Sequence, residues 1–405
     1  MTKFAILGHG VVGSGTAELF FMNKDLINKR EGFDLELGYI LDIRDFPGLS
    51  YSHLFTKDIN DILNDPEVKV VAEVMGGVNP AFDFVKRCLE KGKSVCTSNK
   101  ELVAKKGAEL LKTAREHNCN FAFEASTGGA IPVIEPMHTC LCANELTGAA
   151  GIVNGTTNFI LTKMIEENMP LERALKTAQD LGYAEKDPTA DIEGHDACRK
   201  ICILASMISG KHVYPEMVPT EGIMSLTLED AEYASENGYA LKLIASVEKH
   251  GDKYLPLVAP RFVSCKNQLA HVTDVFNAIT VYGNGFDEVM FYGKGAGKLP
   301  TASAVLGDVI TCAKAEGTVM TRMWEDSTDD SFIEKPEHAV TRLFVRTTSS
   351  KDEINAAMGE VTFLKTPERI TGENAFITAA DEEGLLNEKL SQLAGEVITT
   401  IRVLK

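Results

Sequence analysis

A glycine triplet close to the start limits most strongly what this chain can fold into. Lys3 to Leu7 is an apolar run of strand character, Gly8-His9-Gly10-Val11-Val12-Gly13 follows, and a helical stretch begins at about Ser14 and runs to Asn28. In a strand–turn–helix of this kind Gly8 permits the tight turn, Gly10 lets the backbone approach a pyrophosphate, and Gly13 allows the helix to pack on the strand. The phosphates then sit at the helix N-terminus, where the N–H groups of Val11 and Val12 and the helix dipole favour negative charge. A second strand, Leu35 to Leu41, ends on Asp42-Ile43-Arg44. An acid at that point accepts from the ribose 2′-OH of NAD, whereas an arginine pairs with the 2′-phosphate of NADP. The sequence offers both, so NAD and NADP both stay open.

Further apolar runs at Val68 to Val74, Ser94 to Cys96 and Phe121 to Phe123 alternate with helical stretches at Pro80 to Lys91 and Glu101 to His117. Strands separated by helix-length segments give a doubly wound parallel sheet, an α/β fold of Rossmann type. From about Pro132 the pattern changes. Longer strand candidates at Leu146 to Val153, Tyr254 to Phe262 and Glu288 to Tyr292 mix with helices at Leu171 to Asp180 and Asp196 to Ser209, as in a second, α+β domain. The expected division is a dinucleotide-binding domain over 1–131 and a substrate domain over 132–325, whose C-terminal part packs back on the first. An acidic linker containing Pro336 follows over 326–339, then a small βα module over 340–405.

A chain of 405 residues exceeds what one core usually holds, which agrees with several domains. Its formal charge of -17 leaves no broad basic surface for a nucleic-acid backbone, so anionic ligands must be held by local sites. No run approaches the roughly 18 apolar residues of a membrane span. Lys3 to Leu7 enters a strand directly, without a secretory pattern, so a cytoplasmic location is the expectation. The nine cysteines lack paired CxxC blocks and read as reduced core thiols.

Hydride transfer from a nicotinamide to a carbonyl leaves negative charge on its oxygen, so a proton donor or cation must stand beside it. The segment Gly182 to Lys200 is rich in acids and runs into the apolar stretch Ile201-Cys202-Ile203-Leu204-Ala205. If a helix begins near His195, Asp196 and Lys200 are four apart on one face, and the carboxylate orients the ammonium. Lys200 then sits where the helix enters the core, and a partly desolvated lysine gives up its proton more readily. An ordinary surface pair has the same spacing. Lys100 follows the strand ending at Thr97-Ser98-Asn99; ligands of an open parallel sheet bind at the carboxyl ends of strands, so Lys100 projects towards the cofactor crevice.

Several long motifs in the right order resemble the homoserine dehydrogenase family across roughly residues 1 to 320. They are Gly182 to Lys200, Ser98-Asn99-Lys100, Phe123-Glu124-Ala125-Ser126, Asn154-Gly155-Thr156-Thr157-Asn158, and Gly295-Ala296-Gly297-Lys298-Leu299-Pro300-Thr301-Ala302-Ser303-Ala304. The resemblance implies NAD(P)-dependent interconversion of aspartate 4-semialdehyde and homoserine, in threonine and methionine biosynthesis. It implies Lys200 as proton donor and acceptor at the substrate oxygen with Asp196 beside it, and Lys100 between nicotinamide and substrate. Glu185 is implied to bind the substrate's amino group, with Asp191 supporting the same pocket. Gly182 and Gly297 resemble glycines that approach the cofactor. Glu124, with the backbone carbonyls of Thr127, Gly129 and Ile131, resembles a monovalent-cation site for sodium, although Thr127-Gly128-Gly129-Ala130 departs from the usual residues there. The tail resembles an ACT domain, which binds an amino-acid effector, but Thr348-Ser349-Ser350-Lys351-Asp352 replaces that fold's Pro-Gly turn. A homodimer or homotetramer is implied as well.

Two other readings compete. An aldehyde dehydrogenase acting through a thioester needs an activated cysteine near a histidine, and no cysteine here stands in such a setting. A non-catalytic dinucleotide or amino-acid sensor has no use for Lys100, Asp196 and Lys200 together.

Overall fold

The computed structural model describes residues 2–320, 324–327 and 329–404. The chain divides into two units, one of Met1–Glu145, Cys202–Pro215 and Phe291–Thr328, the other of Leu146–Ile201, Glu216–Met290 and Asp329–Lys405.

The first unit is built on strands β1 (Thr2–Leu7), β2 (Leu35–Leu41), β3 (Phe55–Thr56), β4 (Val68–Glu73), β5 (Ser94–Thr97) and β6 (Phe121–Ala122). They form a parallel sheet in the order β3-β2-β1-β4-β5-β6. This is the expected Rossmann-type order, which places a topological switch point between β1 and β4. Helices cover both faces, so the central strands are apolar along their whole length: Phe4 to Leu7 and Val70 to Ala72 are all buried. The helix after the glycine turn spans Val11–Glu31, longer at both ends than expected, and stops at Gly32 in the left-handed region. A helix from far along the chain, Lys298–Lys314, completes this core, with Val305, Leu306, Val309 and Cys312 packed among Phe4, Ile6 and Phe20.

The helix Lys100–Glu116 is held in the same unit by two neutral rings. His212, 1% exposed, lies within hydrogen-bonding distance of the Ala104 carbonyl through Nε2 (2.8 Å). Its Nδ1 accepts from Trp324 Nε1 at 2.8 Å and from the Ala108 N–H at 3.3 Å. A ring accepting at Nδ1 donates at Nε2, which fixes the neutral tautomer.

A second sheet contains β7 (Leu146–Ile152), β8 (Tyr239–His250), β9 (Lys253–Ser264), β10 (Phe276–Gly283), β11 (Asp287–Lys294), β12 (Val340–Thr347), β13 (Val361–Phe363), β14 (Asn374–Thr378) and β16 (Val397–Val403), with β15 (Asp381–Glu382) beside it. Their order is β11-β10-β7-β8-β9-β16-β12-β14-β13, with β15 against β12. The sequence reading missed β8 and β10, and with them the short β13 and β15. In β8 the residues Leu241 to Val247 are buried on both faces, and Lys242 and Ser246 break the apolar run, so neither alternation nor a continuous apolar stretch marks it. Lys242 is tolerated inside because its ammonium donates to Asn158 Oδ1 at 3.1 Å and to the Val272 carbonyl at 2.6 Å.

The tail adds its own strands and two helices, Lys351–Met358 and Glu383–Leu390. β16 runs parallel to β9, pairing Arg402 with Arg261 and Val403 with Phe262, so the tail shares one continuous sheet with β7 to β11. Ser350 begins the first tail helix with a capping box to Glu353. In the acidic stretch before the tail, Phe332 is buried, and Tyr254 exchanges backbone hydrogen bonds with Phe332 and Glu334. The cysteines need a correction. Cys88, Cys96, Cys119, Cys198, Cys202 and Cys312 are buried as expected, but Cys140, Cys142 and Cys265 are exposed, since each lies on a surface turn or strand end rather than a core face. Among the described residues, no helix is long and apolar enough to cross a membrane.

Burial holds the His212 imidazole below its ordinary pKa, so the folded chain keeps it neutral while the unfolded chain protonates it. Stability is therefore lost as pH falls through and below about 6.5. Thermal melts between pH 7 and 5 are expected to show a shallower acid-side decline for His212→Gln than for the parent chain. Parallel declines would remove His212 as a source of acid sensitivity.

Candidate active site

In the first unit the glycine turn has the form a pyrophosphate requires. Gly8 sits at φ +98°, a conformation that disfavours any side chain. A Cβ on Gly13 would lie 1.9 Å from the Gly8 carbonyl oxygen, whereas one on Gly10 would meet nothing within 4 Å. Gly10 is also the N-cap of the helix, with no side-chain cap and no acid in the first turn, and Val11 is exposed. An open, uncapped helix N-terminus fits the anionic part of a dinucleotide.

The charged residues after β2 are arranged unequally. Asp42 is turned inward, its side chain 6% exposed against 58% for Arg44. Its carboxylate accepts the His9 N–H at 2.7 Å, the Arg44 N–H at 2.9 Å and the Arg44 guanidinium at 2.9 and 3.0 Å. The guanidinium beside it holds the Asp42 carboxyl far below the usual carboxylate range. Arg44 also donates to the His9 carbonyl at 3.0 Å. His9 itself is buried edge-on against Phe46 and Phe55, with Nε2 3.2 Å from the Tyr51 hydroxyl. Burial pushes its pKa down. This aromatic support was not foreseen, because its rings come from a loop and from the two-residue strand β3, neither long enough to show a periodicity.

Lys100 is half-buried, the first residue of its helix immediately beyond β5. Asn99 caps that helix by accepting the Leu102 N–H at 3.1 Å and donates to the Gly77 carbonyl at 2.5 Å. Beneath it Glu73, fully buried at the end of β4, accepts the Thr97 hydroxyl at 2.5 Å and the Met75 N–H at 2.7 Å. Burial pushes the Glu73 carboxyl up. Asn99 and Glu73 were not singled out from sequence; an Asn just before a helical stretch was the available signal for the first.

In the second unit the structure brings Asp191, Asp196 and Lys200 together. The helix His195–Ser209 begins where the i,i+4 argument required, and Lys200 Nζ lies 2.8 Å from Asp196 Oδ2. This is no surface pair: Lys200 is 7% and Asp196 5% exposed. Lys200 also donates to the Val153 carbonyl at 2.6 Å, just beyond β7. Asn154, named in a motif but given no role, links the acids: its amide donates to Asp191 Oδ1 at 2.7 Å and to Asp196 Oδ2 at 2.9 Å. Burial pushes the Asp191 carboxyl up, against the hydrogen bond from Asn154, and the Asp196 charge adds to the rise.

Glu185 is exposed on the turn after the helix Leu171–Asp180, its backbone carbonyl accepting from Gln179 Nε2 at 3.2 Å. Gly182, at φ +77°, has open space where a Cβ would be. In the first unit Gly297, at φ +131°, precedes the helix Lys298–Lys314. Glu124 is buried, and its carboxylate accepts the N–H groups of Val133, Ile134 and Glu135 at 2.7 to 2.9 Å, capping the short helix Ile134–Thr139. The Thr127 hydroxyl nearby in sequence is buried without a hydrogen-bond partner among the described residues.

A Rossmann-type unit with an open glycine turn, in a chain whose second unit buries an ammonium–carboxylate pair, defines a dinucleotide-dependent oxidoreductase. Comparison with known proteins makes this specific. Residues 8–124 match the model of the homoserine dehydrogenase NAD-binding domain, and residues 132–310 match that of homoserine dehydrogenase. The Bacillus subtilis homoserine dehydrogenase is 40% identical over 319 residues, 77% of this chain and 73% of that one. The enzyme of that name from Neisseria gonorrhoeae is 34% identical over 96% of this chain and 90% of its own. Among solved structures, a homoserine dehydrogenase from Thiobacillus denitrificans has a TM-score of 0.89 at 31% identity, covering 100% of this chain and 98% of its own. The chain belongs to the homoserine dehydrogenase family of NAD(P)-dependent oxidoreductases.

The two glycines that face different neighbours are expected to fail differently. Gly10→Ala should leave the melting temperature near that of the parent while weakening NAD(P) binding in a fluorescence titration, because only the cofactor needs that space. Gly13→Ala should lower the melting temperature even without cofactor. Equal effects from both would contradict the assigned roles.

Proposed function

We propose that this chain interconverts L-aspartate 4-semialdehyde and L-homoserine, with Lys200 moving the proton at the substrate oxygen. The observation that carries the reading is the buried Lys200–Asp196 pair at 2.8 Å, held at the end of β7 by the Val153 carbonyl. The bound nicotinamide supplies or accepts the hydride. As the aldehyde is reduced its oxygen becomes an alkoxide, and the Lys200 ammonium gives it a proton; in the reverse direction the amine takes that proton back. Asp196 keeps Lys200 oriented through both states. Lys100, at the carboxyl end of β5, is the cation proposed for the cofactor side, and Glu185 and Asp191 provide the negative charge that a substrate α-ammonium needs.

The dinucleotide is proposed to lie on Gly8, Gly10, Val11, Val12 and Gly13, with Gly182 and Gly297 as further approach points. NADP is favoured over NAD because the Asp42 carboxylate is already occupied by His9 and Arg44, while Arg44 is the exposed member of the pair. A hyperthermophilic archaeal homoserine dehydrogenase with NADPH bound has a TM-score of 0.66 with this chain at 28% identity. The partnerless Thr127 hydroxyl supports a sodium site formed by Glu124 with the carbonyls of Thr127, Gly129 and Ile131. Domains over 1–131, 132–325 and 340–405, an ACT-like tail with an amino-acid effector, and a dimer or tetramer complete the proposal.

Lys200→Ala is expected to lose roughly 10²–10⁴-fold in kcat, the usual worth of general acid–base catalysis, while still binding NADP. A near-parental rate removes Lys200 from the chemistry. Arg44→Ala should raise KM for NADP by about tenfold or more, the scale of a lost charge-assisted hydrogen bond, and leave KM for NAD little changed. Equal effects on both cofactors would mean that Arg44 does not read the 2′-phosphate.

A further inference from the structure

Asn154 is a neutral side chain that links two charged ones, and every hydrogen-bonding position on its amide group is engaged. Its nitrogen donates one hydrogen to Asp191 Oδ1 at 2.7 Å and the other to Asp196 Oδ2 at 2.9 Å. Its oxygen accepts the Thr157 N–H at 2.8 Å, capping the helix Gly155–Glu166, and the Thr157 hydroxyl at 3.0 Å. The residue before it, Val153, carries the carbonyl that receives Lys200 at 2.6 Å. Asn154 is 6% exposed, so this geometry is set by packing on all sides.

Two carboxylates within reach of one nitrogen repel each other, and such pairs ordinarily relieve the repulsion by taking up a proton. The proposed chemistry has no room for that proton. Asp196 must stay ionised to keep its ion pair with Lys200, and Asp191 must stay ionised to meet an ammonium. The charged groups that act on Asp191 are Asp196 and Lys200, while Asn154 and Thr156 add neutral donors to it. An amide supplies two donors on one atom without adding charge, and the short Asn side chain can do so while its oxygen caps a helix.

We propose that Asn154 is a positioning residue for the reaction described under Proposed function, on which this inference rests: it holds Asp191 and Asp196 side by side as anions. One carboxylate then serves Lys200 and the other the substrate's α-ammonium. Helix capping alone asks only for a side-chain oxygen, which Ser and Asp supply about as well as Asn. Only bridging asks for two donors.

That difference gives the test. Asn154→Ser keeps a cap but has one donor, and Asn154→Asp keeps a cap while adding a third negative charge. kcat/KM for aspartate 4-semialdehyde with NADPH is measured against pH, together with melting temperature and KM for NADPH. Reduction is the informative direction, because its acid limb requires ionised carboxylates and its alkaline limb a protonated lysine. Asn154→Ser is expected to stay folded with a modest loss in melting temperature, and Asn154→Asp, which buries a further charge, to melt lower still; both are assayed below their melting temperatures and should keep the parent's KM for NADPH. kcat/KM should drop by up to about 100-fold, the scale of a misplaced catalytic group. The acid limb should move to higher pH in both, by about a unit or more for Asn154→Asp. An acid limb that stays in place in folded Asn154→Ser makes Asn154 a capping residue only and overturns the proposal. Parent protein that fails to reduce the aldehyde at all would overturn the functional reading instead, and that is seen before any variant is assayed.

Discussion

A lysine and an aspartate buried in contact, at the point where a helix enters the core, impose most of the conditions that the second unit satisfies. Taking both ions out of water costs several kcal/mol each, and their attraction offsets this only with good geometry and further hydrogen bonds. The fold provides those bonds from one place, the end of β7. The Val153 carbonyl receives Lys200, and the Asn154 amide reaches Asp196 and Asp191. The helix Gly155–Glu166 is fixed by the same asparagine, and the buried Lys242 ties Asn158 in that helix to the loop at Val272. The ion pair, the strand end and the helix start are thus interdependent, and removing one partner leaves a buried charge worth roughly 3–5 kcal/mol of stability.

The first unit solves a different problem, binding an anion without a cluster of cations in a chain of net charge -17. What it offers an anion is an uncapped helix start, glycines placed by close approach, and one exposed arginine whose partner is turned inward. Local geometry substitutes for net charge, as dipoles and N–H groups act over one turn. Likewise Glu73, buried without a cation within hydrogen-bonding reach among its named partners, ties the ends of β4 and β5 through the Thr97 hydroxyl and the Met75 N–H.

What could be read from the sequence follows the range of each interaction. The glycine turn, the strand–helix alternation of the first unit and the Asp196–Lys200 spacing are local patterns, and the structure has each where the sequence put it. The place of Lys200 at the entry to the core could be read from the apolar run after it, but its bond to the Val153 carbonyl could not, because that group is 47 residues away in sequence. Asn154 hid for the same reason: a cap residue is visible locally, whereas its bonds to Asp191 and Asp196 cross 37 and 42 residues. β8 escaped because burial on both faces removes alternation. The fusion of the tail into the main sheet through β16 and β9 depends on strand pairing, which no periodicity encodes. Glu124 was read as an ion ligand; its carboxylate also caps the helix Ile134–Thr139, a task set by the fold around it.

The most direct test of the account is the absorbance of reduced nicotinamide when the purified chain receives L-homoserine and NADP at alkaline pH, with NAD as a parallel arm. The account predicts homoserine-dependent reduction, faster with NADP than with NAD. Folded protein that reduces neither cofactor would contradict it.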